Sequence, residues 1–198
     1  MTAPDISDMA PLLAEERGPL RLEIEDFNTE YAAVLDAQEM KRWPTFFTGD
    51  AFYRITAREN FNEGLPVGLV WLEGEAMFLD RVAAIENTMV FAPRYLRHYI
   101  TNVNVVGANA AGLISAEANY LVVETLMEDE TKIFQAGCYK DLFVRGEDGD
   151  LKLKSRDCIY DSLLIPNDMA FPVEVSILTT GDRQPLFKIV CYHVGEDF

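Results

Sequence analysis

The sequence predicts an α+β fold, a curved and mostly antiparallel sheet packed on helices that precede it in the chain. Three observations carry this. Two segments before Pro93 repeat apolar residues at helical spacing, and four segments after it alternate polar with apolar residues. The breaks between those four are turn-like: GANAAG, MEDET and GEDGD.

Residues 1–20 hold Pro4, Pro11 and Pro19 with weak periodicity and read as an arm, mobile unless something pins it. IEDFNTEYAAVLDAQEMKRW then sets Ile24, Phe27, Tyr31, Val34 and Leu35 on one helical face, leaving Glu30, Asp36 and Glu39 towards water. Asp26 suits an N-cap or first-turn acid. Pro44 and Gly49 close this unit, and DAFYRITA reads as a strand. GEAMFLDRVAAIEN predicts a second helix with Ala76, Phe78 or Leu79, Val82 and Ile85 inward. After Pro93 come LRHYITNVNVV, GLISAEANYLVVETLM, TKIFQAGCYKDLFVR and DLKLKSRDCIYD, strands joined as a meander, with Asp148-Gly149 as a hairpin signal. Residues 21–198 read as one domain, with a C-terminal extension over about 172–198 in which QPLFKIVCYHV is an added strand.

Composition narrows the function. The 198 residues are 49% hydrophobic and 25% charged, ordinary for a globular protein. With 33 acidic against 17 basic residues the net charge is −16, which disfavours nucleic acid and anionic membrane surfaces as partners. The first residues lack the basic start and apolar core of a signal peptide, and GLVWL and YLVV are too short to span a bilayer. Cys138, Cys158 and Cys191 are odd in number without CxxC spacing, so the expected setting is a reducing cytoplasm.

The inventory of reactive residues is short. His98 and His193 are the two histidines, too few for a zinc cage of the usual spacing, and no paired Cys/His boxes exist for a Rieske cluster. There is no G-x-S-x-G elbow, no P-loop and no G-x-G-x-x-G. Cys191 and His193 share a strand face, which an ordinary strand near a C-terminus also explains. Acid–base chemistry needs one shifted group, and Asp36, Asp50, Tyr53 and His98 are candidates by type. Their ordinary readings are a helix-surface acid, a strand-start acid, a core phenol and a hydrogen-bonded strand histidine.

A bent sheet wrapped around helices makes a cone, the general form of the nuclear-transport-factor-like (cystatin-like) superfamily, which hosts enzymes and structural subunits alike. FFTGDAFYRI, DRVAAI, APRYLRHYITNVNV, GCYKDLFVR and LKSRDCIYDS occur in this order. Together they resemble the small (β) subunit of bacterial aromatic-ring-hydroxylating dioxygenases, over roughly residues 22–165. The pattern falls on Asp50, Tyr53, Arg81, Val82, Arg97, His98, Asn102 and Val103. It continues through Gly137, Tyr139, Asp141, Arg145, Arg156 and Asp161, with Asp36 and Trp43 matching the first helix.

The resemblance implies an accessory role with no catalytic, cofactor or metal residue on this chain. It implies a large (α) subunit as partner, typically in an α3β3 hexamer with β–β contacts. That partner would carry the Rieske [2Fe-2S] cluster, the mononuclear Fe(II) and the aromatic-substrate pocket, so this chain does not specify the substrate. A reductase, sometimes with a ferredoxin, would bring electrons from NAD(P)H. Arg81, Arg97, His98, Asn102, Asp141, Arg145, Arg156 and Asp161 are then expected to form a structural or assembly network. The alternative is a stand-alone dehydratase or isomerase of the same superfamily, using a pocket pair of His98 with Asp50.

Overall fold

The computed structural model describes residues 8–87, 93–127 and 129–162. The C-terminal extension, QPLFKIVCYHV within it, the Cys191–His193 pair and the first seven residues of the arm lie outside the described residues. In chain order the elements are α1 (Ala14–Asp36), a 3-10 turn (Trp43–Phe46), β1 (Phe47–Ala57), α2 (Arg58–Asn62), β2 (Val70–Glu73) and α3 (Gly74–Asn87). Four long strands follow: β3 (Arg94–Ala108), β4 (Ile114–Leu126), β5 (Lys132–Arg145) and β6 (Leu151–Tyr160). They form one curved sheet in the order β2-β1-β6-β5-β4-β3. Among the described residues, no helix is long and apolar enough to cross a membrane.

The meander from β3 to β6 follows the hairpin signals, and Gly149 takes a φ of 88° in the last turn. The parallel pairing of β1 with β6 puts the first strand next to the last. Alternation could not show that, because it reports which face a residue occupies and not which strand lies beside it. Helix α2 and strand β2 were not expected; both are too short for their periodicity to register.

Helix α1 begins at Ala14, ahead of the expected boundary at residue 20, and runs through Pro19. Glu16 helps start it by accepting from the Leu13 N–H at 3.2 Å. Asp26 is therefore interior to the helix, neither cap nor first-turn acid. Ahead of it, Ala10 bridges to Ala108 at the end of β3, so this part of the arm is pinned.

The helix also stops earlier than its pattern implied. Gln38 sits at φ 58°, its N–H bonding the Leu35 carbonyl and that of Glu39 the Val34 carbonyl, a Schellman closure built on a residue other than glycine. The turn redirects the chain so that Met40 and Trp43 enter the core. There the Trp43 Nε1–H donates to the Tyr31 hydroxyl at 3.0 Å. Phe27, Phe46, Phe47, Tyr53, Phe78 and Phe143 pack around them, mostly edge to face.

Helix α3 covers β1 and β2 and buries Phe78, Val82 and Ile85; Leu79 and Ala76 face outward instead. Asn102, at φ 56°, occupies a bulge between Thr101 and Asn104 on β3. Asparagine tolerates that left-handed backbone, so its part in the strand is to bend it.

Gly137 marks the tightest approach in the sheet, since a Cβ there would lie 2.0 Å from the Ile159 carbonyl oxygen and 2.9 Å from the Tyr120 hydroxyl. Gly137→Ala is expected to lower the unfolding free energy by about 2–3 kcal/mol, because backbone must move to admit the methyl. Gly49→Ala, with nothing within 4 Å of the added carbon, should stay within about 0.5 kcal/mol. Denaturant titration of both variants distinguishes a steric cause from a general loss of glycine.

Candidate functional site

The β5–β6 register sets Asp141 opposite Arg156, and both point to the helix side of the sheet. Arg156 Nε donates to Asp141 Oδ1 at 2.9 Å and Nη2 to Oδ2 at 2.8 Å, a side-on bidentate pair. Nη2 also donates to Asn28 Oδ1 of α1 at 2.7 Å. The guanidinium lies between the rings of Tyr31 and Tyr139, at 4.4 and 4.3 Å from their centroids. Both charged side chains are at most 1% exposed. Burial opposes the charge on Arg156, yet Asp141 and the two tyrosines hold its pKa well above the ordinary value. Burial likewise pushes Asp141 up, and Arg156 pulls it back down. This is a stitch between helix and sheet, with its hydrogen-bonding capacity turned inward.

A second contact closes the other end of the helix. His98 points inward from β3 with a fully buried side chain, and its Nδ1 lies 2.7 Å from Asp36 Oδ1. The His98 backbone N–H also donates to the same carboxylate, at 3.1 and 3.3 Å to its two oxygens. Asp36 was expected towards water, but it is half-buried at the last turn of α1. A carboxylate is disfavoured at a helix C-terminus, and these bonds compensate it. The His98–Asp50 pair expected for the alternative enzyme is not formed. Asp50 is exposed and pairs with Lys154, which with Thr48 holds its carboxyl below the usual range. Tyr53 is a core phenol, its pKa raised well above normal by burial.

The remaining expected residues do not join one network. Arg145 reaches α1, donating to both oxygens of Glu23 at 2.7 Å and to the Gly149 carbonyl at 2.9 Å. Asp161 accepts from Arg58 at 2.6 Å at the surface. Arg81 is partly buried on α3, where desolvation lowers its pKa. Arg97 stays 59% exposed, 3.9 Å from Asp36 and donating to the Leu96 carbonyl. The cationic pair that opens β3 is thus divided, His98 turned inward and Arg97 outward. Alternation along a strand requires that.

Sequence reasoning missed Asn28, although a polar residue on the stripe of Ile24, Tyr31 and Leu35 was a legible signal. It also missed the buried pair of Arg94 with Glu124 at 2.6 Å.

The outer face of the sheet is differently made. Arg54 pairs with Asp157 at 2.6 Å and lies 5.4–5.7 Å from the rings of Phe52, Phe61 and Trp71. These side chains, with Val106, Lys140 and Leu142, line an open groove of about 560 Å³. Nearer the start of β3, the register aligns Arg97, Val123 and Ile133 in one row and Tyr99 with Leu121 in the next. Tyr95, Tyr99 and Ile133 are 63, 55 and 71% exposed there, a second apolar patch. Among the described residues, no three His, Cys, Asp or Glu side chains converge to hold a metal ion.

Removing one partner of the interior pair should be costly. Asp141→Asn leaves a buried guanidinium uncompensated and is expected to cost about 3–5 kcal/mol in chemical denaturation. The double change Asp141→Leu with Arg156→Met should recover much of that loss, which a purely steric effect would not allow. The surface pair behaves differently. Its hydrogen bond from Arg145 holds the Glu23 pKa below normal, so its stabilisation is present at neutral pH and is lost as pH falls through that lowered value. Arg145→Gln should therefore cost less than about 1 kcal/mol at pH 7, and less still once Glu23 is protonated, when only the bond to the Gly149 carbonyl remains. Melting curves of both proteins across the acid range check this.

Residues 30–167 match the family described as ring hydroxylating beta subunit. The chain is 34% identical over 152 residues to terephthalate 1,2-dioxygenase, terminal oxygenase component subunit beta 1, of Comamonas sp, covering 77% of this chain and 97% of that one. It is 36% identical over 151 residues to the anthranilate 1,2-dioxygenase small subunit of Burkholderia cepacia, covering 76% and 92%. The crystal structure of a β subunit assigned to an aromatic-ring-hydroxylating dioxygenase of Novosphingobium aromaticivorans superposes with a TM-score of 0.68 at 37% identity, covering 75% of this chain and 94% of that one. The helix-capped curved sheet is therefore shared with that β subunit, and the chain belongs to the ring-hydroxylating dioxygenase β-subunit family.

Proposed function

We propose that this chain is the non-catalytic small subunit of a multicomponent aromatic-ring-hydroxylating dioxygenase, supporting assembly and stability of a large oxygenase subunit. The observation that carries this is the match of residues 30–167 to the β-subunit family. Chemistry is assigned to the partner because the donor set here does not suit either iron centre. His98 is buried against Asp36, and the sequence holds only two histidines and no paired Cys/His boxes. The Rieske [2Fe-2S] cluster and mononuclear Fe(II) then belong to the large subunit. Electrons from NAD(P)H reach it through a reductase, with or without a ferredoxin, and the complex works in the cytoplasm. The isomerase alternative loses its support, since Asp50 is tied to Lys154 and His98 to Asp36.

An α3β3 assembly needs two kinds of contact on each small subunit, one to its own kind and one to a large subunit. Two surfaces suit these needs. The aromatic groove around Arg54, Phe52 and Trp71 carries both signs of charge on an apolar floor and is assigned to the small-subunit contact. The patch of Tyr95, Tyr99 and Ile133 with the exposed Arg97 is assigned to the large subunit. Central aromatic and arginine anchors are the usual carriers of binding energy.

The test is co-expression with a large oxygenase subunit, followed by sedimentation and iron analysis. Three copies of each chain with bound iron and sulfide are expected. Trp71→Asp should reduce the isolated small subunit to monomers, and Arg97→Ala should lower recovery of the complex several-fold while leaving small-subunit contacts intact. A metal-free homo-oligomer that captures no large subunit would sink the accessory role. Intact hexamers from both variants would sink the surface assignment alone.

A further inference from the structure

The contact between α1 and β6 contains more donors than acceptors. A guanidinium has five N–H groups. Asp141 takes one from Nε and one from Nη2, and Asn28 Oδ1 takes the other from Nη2. The two on Nη1 meet no acceptor in hydrogen-bond geometry, and neither does Asn28 Nδ2. Asn28 is 2% exposed and Arg156 is 0%, so bulk water does not reach them. Unmet donors at such burial are rare in native interiors, and two on directly bonded partners are rarer.

Rotating the Asn28 carboxamide does not resolve the deficit, because it would set Nδ2 against Nη2, donor to donor. Tyr31 does not resolve it either. Its ring is stacked on one face of the guanidinium, which puts its hydroxyl out of the plane in which the N–H groups point, and that hydroxyl already accepts from Trp43 Nε1. Tyr139 covers the opposite face. The planar fork then dictates where an acceptor can come from. Asp141 occupies the Nε–Nη2 side, so Asn28 Oδ1 must sit at the end of the fork, next to Nη1. Asn28 Nδ2 is on the same carbon as Oδ1. One of the two Nη1 N–H groups points to that end of the fork, so it and Asn28 Nδ2 flank the same Oδ1.

We propose that these two donors form a binding site for a single internal water, which accepts from Asn28 Nδ2 and Arg156 Nη1. The alternative small acceptor is a halide-like anion. The charge balance selects against it, because Asp141 already neutralises Arg156. A neutral water adds no charge to a pair that is already balanced. The water takes one N–H from each side of the stitch that joins α1 to β6.

The deciding experiment is a crystal structure of the full chain, alone or with its partner, from crystals soaked in sodium bromide and measured at the bromine absorption edge. An ordered peak within hydrogen-bond distance of both Asn28 Nδ2 and Arg156 Nη1, with no anomalous signal, is the expected result. An anomalous peak would make this an anion site and overturn the proposal, and featureless density there would overturn it equally. A solution measurement guards against crystal effects. Asn28→Asp supplies an acceptor of its own, and oxygen-17 relaxation dispersion should count one fewer long-lived internal water in that variant. An unchanged count would overturn the assignment.

Discussion

A buried guanidinium governs the architecture of this chain. Arg156 is wholly enclosed, and a charge in that position survives only with a counter-charge and with its N–H groups engaged. Asp141 on the neighbouring strand meets the first need, and Asn28 on the overlying helix meets part of the second. Because the three residues come from β6, β5 and α1, satisfying one side chain sets the register of a strand pair and the seat of the helix together. The tyrosines above and below the guanidinium, Tyr31 and Tyr139, extend that order into the aromatic core. Replacing the pair by apolar side chains need not weaken the fold, so its contribution is to select one docking of helix on sheet.

The same chemistry fills the interior. The helix-facing side of the sheet is occupied by Tyr31, Trp43, Tyr53, Tyr139 and Phe143, all at most 2% exposed. His98 is committed to Asp36, where it compensates a carboxylate at a helix end and fastens the helix to β3. The outer face keeps its aromatic and cationic side chains accessible, and docking surfaces are expected there.

Much of the fold was legible because periodicity reports burial directly. The alternation in LRHYITNVNVV and its successors identified four strands, and the spacing of Tyr31, Val34 and Leu35 identified the buried face of α1. The ends of elements were less legible. A proline in the second turn of α1 resembles a boundary, and a glutamine at φ 58° carries no sequence mark of a helix stop. Among the expected functional residues, Asp141 and Arg156 do meet, whereas Arg145, Asp161 and Asn102 serve separate local tasks. One network was expected where the fold makes several.

By itself the sequence determined the α+β class, the existence of the four long strands and the absence of paired iron-ligand boxes. Its ordered motifs were also enough to indicate the family. These follow from local periodicity and from inventory, which need no knowledge of distant neighbours. Only the tertiary structure decided that His98 faces Asp36 and not Asp50, that β1 lies beside β6, and that Asn28 bonds Arg156. Each joins residues far apart in the chain. Such a pairing depends on the summed packing of the whole core, and no local pattern records that sum.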